Sequence, residues 1–342
     1  MGAKTPRRRR IAAAALAAIL GLVAVEVLLR VVEPFAFEPP LYPGDRVAIE
    51  RAGEQTVLDP EVGWRFAPFA EVEDRRPDFH VVYRCGEDGF RAPLERSAEA
   101  EARRVAFVGD SFTFGVGVEA EATFPERLAE LHPGTRVFNY GMAGYGVDQM
   151  WRALARFALP ERPDWVVALF VADDLNRSLT SYRYRQGWMA KPTFRLAGGR
   201  LVARDQHNGP PRPWRWLEQR LWILELGRRA VAKLGLEHGF GSRFALNVAL
   251  FEAMHADCEA NGARLVAVHL PQRGAWKPLP AFARALEERG ILVLDLGSLA
   301  PEDPERLFFD RDPHIDAGGH RFVAESLSRF LVERGLLPAP SR

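Results

Sequence analysis

The segment VAFVGDSFTFG at residues 105–115 joins a short apolar run to a polar turn. The run Val105–Val108 has the composition of a buried strand, and Gly109, Asp110 and Ser111 follow it directly. In open α/β sheets, ligands bind just beyond the carboxyl ends of the strands. A serine at that point also lies near a helix N-terminus, whose backbone amides can bind an oxyanion. The segment therefore predicts a strand that leads into a candidate nucleophile.

Short apolar runs and helical patterns alternate through the rest of the chain. Further strands are predicted at residues 136–139, 165–171, 265–270 and 291–296. Helices are predicted at residues 124–131, 149–158, 247–260, 282–289 and 319–334. Thr123 and Glu126 have the spacing of a capping box at the first of these helices. Because the strands are apolar on both sides, we expect a parallel sheet covered by helices on both faces, in a three-layer α/β/α fold.

A candidate base for the serine lies near the end of the chain, in the sequence Asp310-Arg-Asp-Pro-His314. A hydroxyl is a weak nucleophile until a base removes its proton, and histidine is the usual base. Asp312 can hold the other ring nitrogen of His314, as the acid of a catalytic triad does. Neither short motif is specific alone. Together they predict a hydrolytic site built from Ser111, His314 and Asp312.

Four blocks of the sequence resemble the SGNH/GDSL hydrolase family over about residues 103–334. They are VAFVGDSFTFG at 105–115, NYGMAG at 139–144, VVALFVADD at 166–174, and residues 310–320. The resemblance implies a flavodoxin-like α/β/α fold and an esterase that needs no metal or organic cofactor. It also implies that Ser111 is the nucleophile and that the backbone amides of Ser111 and Gly144 bind the oxyanion.

The third block departs from the family pattern. The family places an asparagine that donates to the oxyanion where this chain has Asp173. An ionised carboxylate cannot donate a hydrogen bond. Three explanations remain open: Asp173 is protonated, Asn176 replaces it, or the two backbone donors suffice.

The last block departs as well. The family's acid stands three residues before the histidine, but that position is Arg311. Asp312 is then the expected acid, with Asp310 as the alternative. The Asp-x-His spacing resembles that of related polysaccharide acetyltransferases. An O-acyltransferase acting on exported polysaccharide is therefore a second hypothesis, and a catalytically weak module for glycan binding or assembly is a third.

The N-terminus predicts export to the far side of a membrane. Arg7–Arg10 form a basic cluster, and Ile11–Val25 follow without a charge. The apolar stretch continues past Glu26 and Arg30, which can pair on one helical face. We expect an uncleaved, single-pass anchor in the inner membrane with a periplasmic or other extracytoplasmic domain. A cleaved signal peptide is the competing interpretation, and it exports the same domain.

The sequence predicts three parts: an anchor at 1–33, a lead-in segment at 34–102 and a hydrolase domain at 103–337. An insertion at 177–243 interrupts the last part. It contains a hairpin at 193–202 that turns at Gly198-Gly199, then a helical stretch rich in Trp, Leu and Arg at 212–229. Packing on the domain is the simplest interpretation of this stretch. A lid or a membrane-surface contact is the alternative.

Net charge and motif content limit the classes of molecule that the protein is expected to bind. A net charge of +1 excludes a general attraction to nucleic acid. Cysteines and histidines do not have zinc-site spacing, and dinucleotide and phosphate-loop motifs are absent from the sequence. We expect an acylated small molecule, glycan or lipid as substrate. Cys85 and Cys258 are compatible with one disulfide or with two buried thiols.

Overall fold

A computed structural model gives the fold of the protein. It describes residues 6–34, 40–41, 55–94, 103–184, 188–204, 212–218, 220–234, 242–299 and 301–339. Parts of the predicted lead-in segment and of the insertion lie outside these residues.

The structure describes fourteen strands, ten helices and several single turns. The strands are β1 Pro40–Leu41, β2 Thr56–Asp59, β3 Gly63–Phe66, β4 Glu71–Arg76, β5 Phe79–Arg84, β6 Arg103–Gly109, β7 Thr135–Gly141, β8 Trp165–Phe170, β9 Tyr182–Tyr184, β10 Trp188–Ala190, β11 Thr193–Ala197, β12 Arg200–Arg204, β13 Arg264–His269 and β14 Leu292–Asp295. The helices are α1 Pro6–Val32, α2 Ser111–Phe114, α3 Phe124–Leu131, α4 Val147–Ala153, α5 Ala172–Arg177, α6 Arg212–Glu218, α7 Trp222–Leu234, α8 Ser242–Ala260, α9 Pro280–Glu287 and α10 Ala317–Glu333. Shorter 3-10 turns cover Ala120–Ala122, Leu159–Glu161, Leu296–Ser298 and Pro304–Leu307, and a π-helical turn covers Leu154–Ala158.

Five parallel strands form the central sheet in the order β14-β13-β8-β6-β7. Read from the other edge, this is the 2-1-3-4-5 order of doubly wound flavodoxin-like folds. The order in which successive strands are added to the sheet reverses between β6 and β8, so Ser111 leaves the sheet at the switch point where such folds bind ligands. The predicted parallel α/β fold is confirmed.

Alternate residues of β6 face opposite layers of the core. Ala106 and Val108 pack in the layer that contains α4, α8 and α9, whereas Val105 and Phe107 pack in the layer that contains α3 and α10. Both sets are fully buried. Because a strand presents successive side chains to opposite faces, an apolar residue at every position requires cover on both sides.

The segment before the sheet forms two antiparallel hairpins, β2–β3 and β4–β5. Trp64 in β3 is fully buried, and its indole nitrogen donates to the Ala143 carbonyl at 3.1 Å. Tyr145 donates to the Trp64 carbonyl at 2.6 Å, and Gln149 donates to the Val62 carbonyl at 2.7 Å. These contacts join the β2–β3 hairpin to the loop after β7 and to α4.

Two local predictions need correction. Thr123 stands at the N-cap of α3, but its hydroxyl donates to the Ala120 carbonyl instead of accepting from the helix, and Glu126 accepts from the Leu94 amide. The preceding 3-10 turn places the Ala120 carbonyl 2.8 Å from the Thr123 hydroxyl, and no capping box forms. The Trp-rich stretch predicted as one helix is two, α6 and α7, separated by a turn that contains Arg220. The hairpin at Gly198-Gly199 is present as β11–β12.

Both cysteine side chains are buried thiols without a disulfide partner in the structure. Burial raises the pKa of each thiol to about 12, which keeps Cys85 and Cys258 protonated and unreactive at neutral pH. Of the two interpretations that the sequence left open, the structure has buried apolar thiols.

Candidate active site

Ser111 is the first residue of α2, a single helical turn that begins where β6 ends. Asp110 caps this turn, because its carboxylate accepts from the Phe112 amide at 2.9 Å. Two glycines allow the turn to pack closely. A Cβ on Gly109 would lie 1.9 Å from Thr113 Oγ1, and a Cβ on Gly141 would lie 2.4 Å from the Phe114 amide nitrogen. The nucleophile turn is therefore set by close backbone contacts that only glycine permits.

The structure brings the serine and the histidine together across 203 positions of sequence. His314 Nε2 lies 2.8 Å from Ser111 Oγ, and His314 Nδ1 lies 2.5 Å from Asp312 Oδ1. With Nδ1 donating to the carboxylate, Nε2 carries a lone pair that accepts from the Ser111 hydroxyl. The same Asp312 oxygen also accepts from the His314 backbone amide at 3.0 Å. The arrangement can remove the serine proton and stabilise the resulting imidazolium.

Asp312 is held from its other side by the lead-in segment. Arg76 Nη1 lies 2.7 Å from Asp312 Oδ2, and Asp74 pairs with the same guanidinium at 2.9 Å. Asp78 accepts from the Arg311 and Asp312 backbone amides at 2.8 and 2.7 Å. The tip of the β4–β5 hairpin thus fixes both the side chain and the backbone of the acid.

These contacts keep Asp312 ionised. Burial alone would raise the pKa of its carboxyl, but hydrogen bonds and the charge of His314, together with Arg76, outweigh burial. They hold the pKa of Asp312 well below its ordinary value. Asp310, the alternative acid, is exposed, and its backbone carbonyl accepts from Arg273 at 2.7 Å.

The backbone amides of Ser111 and Gly144 are the two donors expected for an oxyanion. Gly144 lies in the turn after β7 with φ at 85°, a left-handed conformation that favours glycine. Among the described residues, the amides of Ser111 and Gly144 donate to no protein acceptor. Trp64 supports the Gly144 turn through its bond to Ala143. Backbone amides without a protein acceptor are the donors that an oxyanion hole requires.

Asp173 belongs to a cluster of carboxylates around one buried arginine. Arg177 contacts Asp173 at 2.8 Å, Asp174 at 2.5 Å and the serine-turn cap Asp110 at 3.0 Å. Burial opposes the charge of Arg177, but the three carboxylates outweigh it and raise the pKa of the guanidinium. Burial and the neighbouring charge of Asp110 raise the pKa of Asp174. The ion pair with Arg177 partly neutralises Asp173 beside the serine turn.

Asn176 lies one helical turn beyond Asp173 in α5 and is exposed. Three residues of helix carry it about 4.5 Å further from the end of β8. The next residue, Arg177, points to the serine turn and ties α5 to Asp110.

The Arg91 side chain stabilises the end of the serine turn and the loop that follows it. Its guanidinium is buried and donates to the carbonyls of Phe114, Gly115 and Val118 at 3.4, 3.2 and 2.9 Å. It also lies 4.9 Å from the centre of the Tyr83 ring. Burial lowers the pKa of Arg91 from its usual value. These bonds fix the loop in which α2 ends.

Two other histidines near the sheet have structural contacts. His320 is fully buried, accepts from the Phe124 amide at 3.2 Å and stacks on the Phe124 ring. Burial, reinforced by the charges of Arg91 and His314, lowers the pKa of His320 to about 3. His269 is buried at the end of β13, 2.7 Å from Asp295.

Three residues of this site were not predicted from the sequence: Arg76, Asp78 and Arg91. The hairpin residues lie more than 230 positions from Asp312, and no local pattern links them to it. Arg91 carried a weak signal, because it ends the turn-rich GEDGFR segment at 86–91.

Sequence comparison supplies the family. The model of the GDSL-like Lipase/Acylhydrolase family matches residues 107–322, which is well over half of the chain. The chain belongs to the GDSL-like lipase/acylhydrolase family. The matched region contains the Ser111 turn, the Gly144 turn and the His314 loop, whereas Arg76 and Arg91 precede it.

Solved structures that match this GDSL-like chain have low overall similarity to it. An acetylxylan esterase from Geobacillus stearothermophilus, solved as a catalytic mutant, is 13% identical with a TM-score of 0.40, over 72% of this chain and 100% of that one. A lipolytic G-D-S-L family member from Veillonella parvula DSM 2008 is 13% identical with a TM-score of 0.36, over 67% and 97%. Curated proteins yield no match.

Proposed function

We propose that the protein is a serine esterase that removes an O-acetyl or other short acyl group from an extracytoplasmic substrate. The observation that carries the proposal is the 2.8 Å separation between Ser111 Oγ and His314 Nε2. Membership of a lipase/acylhydrolase family supports the reaction class. Asp110, next to Ser111, pairs with Arg177, and Arg76 pairs with Asp312, so charged side chains lie close to the reacting pair and favour a polar substrate.

Ser111 Oγ attacks the ester carbonyl while His314 Nε2 takes the hydroxyl proton. The amides of Ser111 and Gly144 donate to the tetrahedral oxyanion, and each such donor contributes about 2.7–4 kcal/mol to transition-state stabilisation. Collapse breaks the ester bond, and the alcohol leaves with the proton from His314. Water then attacks the acyl-enzyme with His314 again as the base, which releases the carboxylic acid and restores Ser111. Asp312 orients His314 throughout.

The test is hydrolysis of p-nitrophenyl acetate by the wild type, Ser111→Ala and the control Ser326→Ala. Ser326 is also a buried serine, but it lies in α10. We expect Ser111→Ala to lose about a thousandfold or more in kcat, and the control to keep its activity. Equal turnover by Ser111→Ala and the wild type would end the proposal.

The Asp312-x-His314 spacing favours transfer of the acyl group to a sugar hydroxyl as the second candidate function. In that reaction, an acceptor hydroxyl replaces water in the second step. Mass spectrometry of an added oligosaccharide acceptor, together with an assay of released acetate, distinguishes the two reactions. Acylated oligosaccharide in place of free acetate would establish the transferase.

The proposed location of this activity rests on α1. Residues Arg9–Val32 form a helix long and apolar enough to cross a membrane, and a signal sequence would pass the same test. Its apolar side chains are exposed in the structure. We propose that α1 remains as a single-pass anchor with the arginines at its N-terminal end in the cytoplasm. Retention of residues 1–33 in the mature protein, measured by intact mass, tests this; their removal would contradict it.

A further inference from the structure

The apolar helix α1 carries two charges near its C-terminal end. Glu26 and Arg30 lie four residues apart and pair at 2.8 Å. Ionisable side chains inside a membrane span are costly, and they usually contact protein groups that compensate them. Their other contacts therefore indicate what surrounds this end of the helix.

In the part of the chain that the structure describes, those contacts come from the insertion. Glu26 accepts from the backbone amides of Trp222 and Ile223 at 3.1 and 2.9 Å, and Arg30 donates to the Arg220 carbonyl at 2.7 Å. Trp222 is the first residue of α7, so the Glu26 carboxylate satisfies amides that the helix leaves free at its N-terminus. The anchor and the insertion form one hydrogen-bonded junction.

The position of Glu26 along α1 sets the depth of this junction. At 1.5 Å per residue, Glu26 lies about 22 Å along the helix from Ile11, the first apolar residue. The hydrocarbon core of a bilayer is about 30 Å thick. If Ile11 lies at the inner boundary of the core, then Glu26 lies about 8 Å below the outer boundary, and any tilt of the helix lowers it further. The start of α7 must lie at the same level.

Helix α6, which adjoins this junction, carries side chains that suit the boundary between the acyl chains and the headgroups. Trp214 and Trp216 in α6 are 50% and 54% exposed. The Leu217 carbonyl accepts from the Arg220 and Leu221 amides, so α6 runs directly into the junction. Arg220 lies 4.7 Å from the centre of the Trp216 ring. Tryptophan is enriched where headgroups meet acyl chains, and arginine can extend from there to the phosphates.

We infer that the insertion helices α6 and α7 enter the outer leaflet of the membrane beside α1, with Trp214 and Trp216 at the headgroup boundary. The occupant of this exposed aromatic face is the lipid bilayer. The inference rests on the anchoring part of the proposed function. In this arrangement the catalytic domain stays in contact with the membrane surface and has a restricted orientation relative to it.

The test uses the full chain in vesicles of phosphatidylcholine and phosphatidylglycerol, with or without phosphatidylcholine brominated near the glycerol end of its acyl chains. Bromine quenches tryptophan on contact, and α1 contains no tryptophan, so quenching reports on the rest of the protein. The variant carries Trp214→Phe, Trp216→Phe and Trp222→Phe. The matched control carries Trp151→Phe, Trp165→Phe and Trp276→Phe.

We expect brominated lipid to quench the wild type and the control, and the quenched fraction to fall about twofold or more in the variant. Flotation of the vesicles measures anchoring separately, and p-nitrophenyl acetate turnover verifies that each variant is folded. Protein that floats with equal emission in both lipids would overturn the inference while leaving the anchor intact. Protein that does not float would overturn the anchor, and the inference with it. Esterase activity is independent of both results.

Discussion

The Arg76 guanidinium lies 2.7 Å from the Asp312 carboxylate, although the two residues are 236 positions apart. Asp312 is therefore positioned by two elements: the loop that also carries His314, and a hairpin that precedes the family-matched region. Because the Arg76 charge stabilises the ionised carboxylate, it also reduces the attraction between Asp312 and an imidazolium at His314. The hairpin thus influences the proton chemistry of the site.

Arg76→Met is expected to lower kcat about tenfold and to move the acid limb of the kcat/KM profile to higher pH. Without the arginine, the Asp312 charge stabilises the protonated imidazole more strongly, so a higher pH is needed to free the base. Arg75→Met is the matched control, because Arg75 is 71% exposed and pairs with Glu73. An acid limb at the same pH in wild type and Arg76→Met would show that Arg76 has only a structural role.

Asp173→Asn is expected to raise kcat/KM about tenfold. The amide can donate to the oxyanion, as the family's asparagine does, and the change removes a negative charge beside the serine turn. Asp173→Ala separates the two effects, because it removes the charge without adding a donor. Steady-state kinetics with p-nitrophenyl acetate provide the comparison. A lower kcat/KM in Asp173→Asn would indicate that the ion pair with Arg177 matters more than the missing donor.

Arg91→Met is expected to destabilise the protein by about 2–4 kcal/mol, because the carbonyls of Phe114, Gly115 and Val118 lose their buried donor. Urea unfolding of the detergent-solubilised full chain measures this. Arg84→Met is the control, since Arg84 is 67% exposed and pairs with Glu71. It should change the free energy of unfolding by less than about 0.5 kcal/mol. Similar values for the two variants would contradict the role given to Arg91.

His320 makes stability depend on pH. Its folded pKa of about 3 lies below the ordinary value of 6.5, so the unfolded chain binds the proton more readily. The contribution of neutral His320 to the free energy of unfolding is complete above about pH 6.5. It is lost as the pH falls toward 3, at about 1.4 kcal/mol per pH unit. His320→Asn keeps an acceptor for Phe124 but cannot titrate. Between pH 7 and pH 5 the wild type should lose about 2 kcal/mol more than the variant. Parallel losses would contradict a buried neutral His320.

The parallel sheet was predictable because the relevant patterns are local. A strand such as β6 is apolar at consecutive positions, and only a sheet covered on both faces buries it. The Ser111 turn was recognisable from the glycines and the aspartate around it, since each meets a local steric or hydrogen-bonding demand. The pairing of Ser111 with His314 was expected from their two motifs taken together and from the family resemblance, whereas the 2.8 Å distance between them comes from the fold.

Long-range polar contacts were not predictable in the same way. Arg76 ends β4 and Asp78 lies in the turn that follows, in a segment of ordinary composition, and their partners lie near the other end of the chain. At Thr123 the error was of the opposite kind. The sequence has the local motif of a capping box, but the 3-10 turn before the helix gives the Thr123 hydroxyl a different partner. Glu26 and Arg30 were expected to pair with each other, but the bonds of Glu26 to α7 and of Arg30 to the Arg220 carbonyl depend on tertiary placement.

The most direct test of the catalytic account is covalent labelling with a fluorophosphonate, followed by mass spectrometry of the modified peptide. The probe reacts only with a serine whose proton a neighbouring base removes. We predict one adduct on Ser111 in the wild type, and labelling at least about a hundredfold slower in His314→Ala. An unmodified Ser111, or equal labelling rates with and without the His314 imidazole, would contradict the proposed chemistry.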